Sequence, residues 1–411
     1  MRPTAPGSFW LDRDPVPPRP PLLGAVTADV IVVGGGIAGA TAALALAEGG
    51  ARVVLLEGDR VGRGASGRNA GFLLAEAAES FAEVARRRGL ETARAVRAAG
   101  LATRSVVARV AAAASADIGL RWGGSLRLAE DAAEDADFRE SARLLGGAIE
   151  HLDRTGVPPA YGPLGGVGGL VDPGDGEVHP LRLLRAALAE AEAHGAVVLE
   201  RSPVLRFEET PETVRVHTLG GVAEAETLLV TTNAWIPGLL PAGPAVRPVR
   251  AQMLAARVDP APDWSWPVYA NRGGDYARRL PDGTVLLGGL RRLGAREEET
   301  QDARPADPVQ AGLDDLLARW CGGGARIRVL ARWAGTMGFT PDGLPAAGLA
   351  PGHDRVFVLG GFTGHGMGWG PGLATALAAE ILGRDADIAP AFSPSRAALL
   401  AGTVPPDPVR G

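Results

Sequence analysis

The stretch Val30-Ile31-Val32-Val33-Gly34-Gly35-Gly36-Ile37-Ala38-Gly39 decides the fold of this 411-residue chain. Its β-branched run is typical of a buried parallel strand, and the three consecutive glycines end that strand abruptly. Residues 37–49 are rich in Ala and Leu and predict a helix that is closed by glycine. A second strand is predicted from Arg52 to Leu56. Together these residues have the pattern and the approximate length of one βαβ unit.

The glycines of this unit match the dinucleotide fingerprint GxGxxG. Gly34 makes the turn, Gly36 lets a diphosphate approach the backbone, and Gly39 lets the helix pack closely on the strand. Ile37 and Ala38 open the helix, where exposed N–H groups and the helix dipole favour an anion. The motif therefore predicts dinucleotide binding, and a tight turn in an ordinary α/β sheet is the alternative.

Glu57 follows the second predicted strand, about 20 positions after the middle glycine of the fingerprint. An acidic residue at this place hydrogen-bonds ribose hydroxyls and repels a 2′-phosphate. The sequence therefore favours FAD or NAD over NADP.

A long glycine-rich loop, from Gly58 to Gly71, comes next, where a simple NAD domain would proceed to its next helix. It resembles the loop of D-amino acid oxidase-like flavoproteins, particularly the branch of glycine, sarcosine and γ-glutamylputrescine oxidases, in which it wraps the FAD diphosphate and ribityl chain. Such loops are also common as plain turns. The resemblance implies FAD contacts from Gly64, Ala65, Ser66, Arg68, Asn69, Ala70 and Gly71.

The same arrangement of strand, glycine loop and helix recurs near the C-terminus. Val356 to Leu359 predicts a buried strand, residues 360–370 a loop, and Pro371 the first turn of a helix. This loop resembles the family segment that aims backbone N–H groups at the pyrimidine edge of the flavin ring. The resemblance implies cofactor contacts from Gly361, Thr363, Gly364, His365, Gly366 and Met367, and it places Val204 beside the adenine.

The resemblance also implies the architecture. We expect an α/β fold with a discontinuous Rossmann-type FAD-binding domain and a second, substrate domain built on a mixed or antiparallel sheet. The expected segments are a proline-rich lead-in (1–27), the FAD-binding domain (28–75, 165–235 and 327–390), the substrate domain (76–164 and 236–326) and a C-terminal tail (391–411).

Composition excludes several other functions. The 42 basic residues are all arginine, against 47 acidic residues and a net charge of -5, so we expect neither nucleic-acid binding nor lysine Schiff-base chemistry. One cysteine and six scattered histidines predict no metal site and a reducing compartment. The uncharged residues 30–47 are explained by the glycine motif better than by a membrane span. We therefore expect a cytoplasmic protein.

The implied chemistry is oxidation of an amine C–N bond. A hydride equivalent would pass from the carbon beside the amine nitrogen to flavin N5, and the imine would then hydrolyse. Tyr276 or His365 would accept the amine proton. The expected acceptor is oxygen, giving hydrogen peroxide. The alternatives are an amine or amino-acid dehydrogenase that uses a carrier acceptor and a non-catalytic FAD-binding subunit.

Three positions depart from the family pattern. Gly335 stands where sarcosine oxidases attach flavin covalently, so we expect non-covalent FAD. Met337 replaces an arginine that clamps the substrate carboxylate, so we expect a substrate without a carboxylate beside the reacting nitrogen unless Arg250 or Arg278 substitutes. Gly368 replaces a lysine next to the flavin, so we expect slow reaction with oxygen.

Overall fold

The fold is known from a computed structural model that describes residues 7–14 and 17–400, so parts of the expected lead-in and tail (1–6, 15–16 and 401–411) lie outside the described residues. The α-helices, in chain order, are α1 (Phe9–Arg13), α2 (Ile37–Glu48), α3 (Phe81–Arg88), α4 (Leu90–Ala113), α5 (Ala132–Leu144), α6 (Pro180–Ala193), α7 (Ile236–Leu239), α8 (Asp307–Trp320), α9 (Gly366–Ile381) and α10 (Ala397–Leu400).

The strands form four sheets. In chain order the strands are β1 (Gly24–Thr27), β2 (Val30–Val33), β3 (Val53–Leu56), β4 (Phe72–Leu73), β5 (Arg121–Trp122), β6 (Ser125–Ala129), β7 (Glu150–Asp153), β8 (Gly168–Asp172), β9 (Gly176–Glu177), β10 (Val197–Leu199), β11 (Val204–Glu209), β12 (Val214–Thr218), β13 (Gly221–Ala225), β14 (Thr227–Val230), β15 (Arg247–Asp259), β16 (Val268–Ala270), β17 (Asp275–Arg279), β18 (Thr284–Gly288), β19 (Arg326–Phe339), β20 (Ala346–Leu349) and β21 (Val356–Gly360).

A six-stranded sheet with the order β10-β3-β2-β14-β21-β20 carries the dinucleotide motif. Its strands are parallel except β20, which runs antiparallel to β21. The predicted βαβ unit is confirmed, because β2 pairs with β3 and α2 connects them. The helices α2, α4, α6 and α9 cover one face of this sheet with a continuous apolar core. The four-stranded sheet β1-β13-β12-β11 packs against the other face, so both faces are covered, as buried parallel strands require.

Gly39 allows the close packing of α2 on β2. A Cβ atom at this position would lie 1.9 Å from the carbonyl oxygen of Gly34. No other residue type fits here without moving the backbone, which is the role that the fingerprint assigns to its third glycine.

An eight-stranded mixed sheet forms the second large layer, with the order β19-β15-β18-β17-β16-β6-β8-β7. One face packs against α8 through an apolar cluster that includes Leu254, Leu287 and Leu317. The other face points toward the glycine-rich loop of the six-stranded unit. The strands β8 and β19 belong to this sheet, although they fall mostly within the residues that the sequence assigns to the FAD-binding domain.

Two local predictions are corrected. The C-terminal helix begins at Gly366, so Pro371 lies inside α9 and does not open it. The glycines before Pro371 therefore belong to a helical turn, which their small size lets pack against neighbouring backbone. The proline-rich lead-in contains the short helix α1, whose Phe9 and Trp10 are buried. None of the described helices is both long and apolar enough to cross a membrane.

Candidate functional site

The carboxyl ends of β2, β3, β14 and β21 meet at one edge of the six-stranded sheet, the usual place for a ligand in an open parallel sheet. Gly34 turns the chain there with a φ of 115°, in the region that favours glycine. Thr231, which follows β14, donates a hydrogen bond from Oγ1 to the Gly34 carbonyl oxygen at 3.0 Å. The helix α2 then starts at this edge, with its N-terminus facing the site.

The first turn of α2 has N–H groups without partners inside the helix, which suit a diphosphate. Gly36 is its N-cap residue and makes no side-chain capping bond. The Ile37 N–H donates to Ser66 Oγ at 2.9 Å. Ser66 thus links the first glycine motif to the following loop. Ile37 and Ser66 are both among the residues predicted to contact the cofactor.

Glu57 ends β3 beside this turn. Its Oε2 accepts the Gly35 N–H at 2.7 Å and its Oε1 accepts the Asp59 N–H at 2.8 Å. Burial raises the pKa of the carboxyl, against the effect of these two hydrogen bonds. A carboxylate has about four acceptor positions, so both oxygens retain capacity for ribose hydroxyls.

The loop 64–71 is held by hydrogen bonds between its own side chains and main-chain groups. The Asn69 side chain donates to the Ala65 and Ser66 carbonyl oxygens and accepts the Gly71 N–H at 2.7 Å. Arg68 donates to the carbonyl oxygens of Arg63 and Ala334, and burial lowers its pKa to about 10. These contacts shape the loop, and contact of either side chain with FAD stays a prediction.

Residues 8–13 form an N-terminal arm that packs onto this loop. Nothing in the sequence indicated this contact. The Ser8 hydroxyl donates to the Gly67 carbonyl oxygen at 2.6 Å, and Trp10 Nε1 donates to the Asn69 carbonyl oxygen at 2.8 Å. The Phe9 ring stacks on Trp333 with a centroid distance of 6.3 Å. The arm therefore fixes the outer side of the loop.

The second glycine loop lies between β21 and α9. Gly361 has a φ of 69°, and its N–H donates to Asn233 Oδ1 at 2.9 Å. Thr363 Oγ1 lies 3.3 Å from Thr340 Oγ1. Asn233 itself has a φ of 47°, a left-handed conformation that Asn tolerates better than most residues.

His365 carries a buried nitrogen that lacks a partner. Its Nδ1 lies 3.1 Å from the Thr363 carbonyl oxygen, and its ring stacks on Trp369 at 4.9 Å. Because a carbonyl oxygen only accepts, Nδ1 carries the proton and Nε2 carries a lone pair. Nε2 is buried without a hydrogen-bond partner among the described residues. Burial lowers the pKa of His365 to about 4, and the charge of Arg127 adds to this effect.

Tyr276 belongs to an aromatic group at the boundary between the two large sheets. Its ring lies 5.7 Å from that of Tyr269, its neighbour across β16 and β17. Phe72, which follows the first glycine loop, contacts both rings at 5.3 and 6.1 Å. Tyr276 leans over Gly288 of the next strand, where a Cβ atom would lie 2.6 Å from the phenol oxygen. Burial raises the pKa of Tyr276 to about 12 and raises the pKa of Tyr269 further.

The same two arginines act on these groups. Arg291 opposes the rise in the pKa of Tyr276, and Arg127 and Arg291 both lower the pKa of His365. Tyr276 and His365 thus both feel the positive charge of Arg291. The sequence missed Tyr269, Arg127 and Arg291, because their proximity depends on strand pairing between distant segments.

Val204 begins β11 and is half-buried. Ser202, two residues earlier, donates its N–H to the Glu57 carbonyl oxygen at 2.8 Å. Val204 therefore lies near the end of β3 where the ribose and adenine are expected, and its contact with adenine stays a prediction.

These features fit FAD: a glycine turn at a helix N-terminus, a carboxylate at the next strand end, and a second glycine loop with an unpartnered buried nitrogen.

The family model described as FAD dependent oxidoreductase matches residues 29–380. The γ-glutamylputrescine oxidoreductase of Escherichia coli (strain K12) is 28% identical over 389 residues, which cover 90% of this chain and 86% of that protein.

Two further similarities span nearly all of the chain. The glycine oxidase of Bacillus licheniformis is 27% identical over 86% of this chain and 93% of its own length. The crystal structure of glycine oxidase from Geobacillus kaustophilus superposes with a TM-score of 0.78 at 24% identity and covers 90% of this chain and 99% of that chain. This structural similarity supports the fold.

Proposed function

The chain belongs to the FAD dependent oxidoreductase family, and on that premise we propose that it oxidises the C–N bond of a small amine or amino acid, with oxygen as the acceptor. The observation that carries this proposal is the unpartnered lone pair of the buried His365 Nε2. Like the half-buried pair Tyr269 and Tyr276, His365 feels the positive charge of Arg291. Neutral, partly desolvated polar groups of this kind suit a neutral amine.

Bound FAD, held by the two glycine loops and Glu57, would supply the redox chemistry, since it can accept a hydride equivalent from the carbon beside the nitrogen and return two electrons to oxygen to give hydrogen peroxide. Loss of the hydride equivalent from the neutral amine gives an iminium ion, which releases a proton to water and becomes the imine. Water then converts the imine to a carbonyl compound and a released amine or ammonia.

The pKa values of Tyr276 and His365 support roles other than proton acceptor for both groups. With a pKa of about 12 the Tyr276 phenol keeps its proton, and with a pKa of about 4 His365 stays neutral near pH 7. His365 Nε2 therefore accepts a hydrogen bond from the amine N–H and orients the nitrogen, and Tyr276 completes the pocket as a neutral hydroxyl. The amine enters in its neutral form, and its ammonium proton goes to water.

An anaerobic panel of amines and amino acids tests this function. At least one compound is expected to bleach the flavin absorbance, with formation of the corresponding carbonyl product. Flavin that stays oxidised with every compound, but is bleached by dithionite, would show a non-catalytic FAD-binding subunit.

One observation favours an amine dehydrogenase as a second candidate. A Cβ atom at Gly368 would lie 2.2 Å from the Leu74 carbonyl oxygen. Position 368, where sarcosine oxidases have a lysine, therefore has no room for a side chain. Reduced protein that reacts with a quinone but not with oxygen would establish this alternative.

A further inference from the structure

We infer that Thr363 is a positioning residue for His365: its backbone conformation holds its carbonyl oxygen on His365 Nδ1 and so keeps the lone pair of the imidazole on Nε2. The inference rests on the proposed function, in which that lone pair accepts the amine N–H. It also gives the Thr363 side chain a role, because the hydroxyl anchors the second glycine loop to the end of β19.

The chain makes a tight turn from Phe362 to His365. Thr363 has a φ of 49° and Gly364 has a φ of 91°, and the His365 N–H donates to the Phe362 carbonyl oxygen at 2.9 Å. Two successive positive φ values with this hydrogen bond are typical of a type I′ turn, in which Asn, Asp or Gly usually takes the first central position. Gly364 suits its place in this turn, whereas Thr363 does not.

Threonine is costly at this place, because its branched Cβ crowds the backbone in the left-handed region. Among residues 7–14 and 17–400, six residues other than glycine have a positive φ, and Thr363 is the only β-branched one. Such strain persists only where surrounding contacts impose it, and it is concentrated at functional sites. What threonine offers here, and glycine would not, is the hydroxyl.

The Thr363 hydroxyl joins the loop to Thr340, the buried residue that follows β19. Thr340 Oγ1 donates to the Leu344 carbonyl oxygen at 2.8 Å, so it is an acceptor toward Thr363. The Thr363 hydroxyl proton is shared between Thr340 Oγ1 and the Gly361 carbonyl oxygen, each at 3.3 Å, and Thr363 Oγ1 accepts the Thr340 N–H at 3.3 Å. The Thr363 N–H donates to the Gly338 carbonyl oxygen at 2.8 Å. Side chain and backbone thus both bind Thr363 to the end of β19.

The anchored turn directs the Thr363 carbonyl oxygen at the imidazole of His365. The oxygen lies 3.1 Å from Nδ1, and because a carbonyl oxygen only accepts, Nδ1 carries the proton of the neutral ring. A ring turned over by 180° would place a carbon atom at the carbonyl oxygen instead. This contact therefore selects both the orientation of the ring and its tautomer.

A second contact fixes the plane of the imidazole. The indole of Trp369, one helical turn further along α9, stacks on the His365 ring with a centroid distance of 4.9 Å and an interplanar angle of 28°. Trp369 is buried, and its Nε1 donates to the Ala75 carbonyl oxygen at 3.4 Å. Stacking permits either orientation of the imidazole within this plane. The choice between the two orientations therefore falls to the Thr363 carbonyl oxygen.

Nε2 of His365 is the ring nitrogen that remains for the substrate. It is buried, and within the part of the chain that the structure describes it has no hydrogen-bond partner. With the proton held on Nδ1, Nε2 is an acceptor before the amine arrives, which is preorganisation of a polar group. With the proton on Nε2, the ring would instead donate to the amine lone pair, which has to assist departure of the hydride. The strained turn thus selects the tautomer that the reaction needs.

Thr363→Gly tests the inference, because glycine suits the turn but lacks the hydroxyl. The FAD-loaded protein is labelled with ¹⁵N-histidine, and the shifts of the two His365 nitrogens, identified by comparison with His365→Gln, report which nitrogen carries the proton. In the wild-type protein near pH 7 the proton is expected on Nδ1, and in Thr363→Gly a large part of it should move to Nε2. A wild-type tautomer in Thr363→Gly would overturn the inference.

Further variants localise the effect. Thr363→Ser keeps the hydroxyl and should keep the proton on Nδ1. Thr340→Val removes the other hydroxyl without changing the loop and should move the proton as Thr363→Gly does, so it gives the answer if Thr363→Gly does not fold. Arg201→Gly is the matched control, since Arg201 also has a left-handed φ, of 51°, but is exposed in the turn after β10. An equal movement of the proton in Arg201→Gly would refute a specific role of Thr363.

Kinetics separate this inference from the proposed function. Anaerobic reduction of the flavin by the best amine should be about tenfold slower in Thr363→Gly, which corresponds to the loss of about one hydrogen bond, and close to wild type in Thr363→Ser. Flavin that no amine reduces would reject the proposed function, while the ¹⁵N shifts would still decide whether Thr363 positions His365. Wild-type reduction rates in a Thr363→Gly protein whose proton has moved to Nε2 would overturn the role of this tautomer in the reaction.

Discussion

Gly335 lies against the side chain of Arg68, so closely that a Cβ atom at position 335 would be 2.8 Å from the Arg68 Cβ. Glycine has no nucleophilic atom, and the Arg68 stem occupies the space that a side chain here would need. The position that carries the flavin link in sarcosine oxidases is therefore unavailable in this protein. The first prediction follows from this contact.

FAD should be released when the protein is precipitated with acid. The expected result is a colourless pellet and a yellow supernatant that contains intact FAD, measured by absorbance and chromatography. Cys321 offers no alternative attachment, since burial raises the pKa of its thiol to about 11 and it lies in the cluster under α8. Flavin that stays on the washed pellet would contradict the prediction.

Glu57→Gln should weaken FAD binding. The substitution removes the negative charge from a side chain that accepts two backbone N–H groups and is proposed to accept ribose hydroxyls. Loss of charge-assisted hydrogen bonds costs ~1.5–3 kcal/mol, which raises the Kd by roughly ten- to a hundredfold. Fluorescence titration of the apoprotein measures this, with Glu91→Gln on the exposed start of α4 as the control. An unchanged Kd would remove Glu57 from the cofactor site.

Trp10→Phe should loosen the first glycine loop. The change keeps an aromatic ring but removes the Nε1 donor that bonds the Asn69 carbonyl oxygen. Loss of this bond should lower the free energy of unfolding by ~1 kcal/mol and speed FAD dissociation. Trp122→Phe, at a position where the ring is 40% exposed, is the matched control. Equal FAD dissociation rates in both variants would mean that the N-terminal arm does not support the loop.

The central motif could be predicted from sequence because it is local. Gly34, Gly36 and Gly39 lie within one turn and one helix, and the structure places them as the fingerprint requires. The alignment of Arg127 opposite Tyr269, and of Tyr269 opposite Tyr276, could not be predicted, because it depends on the register of β6, β16 and β17. A shift of one residue would point all these side chains to the other face.

Other differences arise where tertiary packing overrides a local rule. Pro371 is favourable at a helix start, yet α9 begins five residues earlier. The start is possible because the glycines of α9 pack closely on neighbouring backbone: a Cβ atom at Gly372 would lie 2.5 Å from the Ala99 carbonyl oxygen. The burial of Phe9 and Trp10 could not be predicted, because nothing in the proline-rich segment shows which surface will cover their side chains.

The free energy of unfolding should fall as the pH is lowered, and His365 should account for part of this fall. Its pKa in the folded protein, about 4, lies below its usual value of 6.5, so the unfolded chain binds the extra proton between these two pH values. Stability therefore rises with pH through this window and is lost as the pH falls, by at most about 1.4 kcal/mol per pH unit.

His365→Gln removes this titration and should flatten the pH dependence. Thermal unfolding of the FAD-loaded proteins between pH 7 and pH 4 measures the difference. His179, whose pKa is also lowered to about 4, is present in both proteins and cancels. Parallel curves for the two proteins would show that His365 titrates normally.

Reoxidation by oxygen should be slower than reduction by substrate. A fixed positive charge near the flavin favours electron transfer to oxygen as superoxide character develops, and a lysine serves this purpose in sarcosine oxidases. Here the lysine position is Gly368, closed by the Leu74 carbonyl oxygen, and His365 is neutral near pH 7 because of its lowered pKa. Arg127 and Arg291 also act on His365, but the charge of a guanidinium is spread over a plane and is a poorer point charge than an ammonium. Stopped-flow mixing of the reduced protein with aerated buffer measures the rate. Reoxidation faster than the reductive half-reaction would contradict this reasoning, and lower pH should not accelerate it until His365 begins to protonate near pH 4.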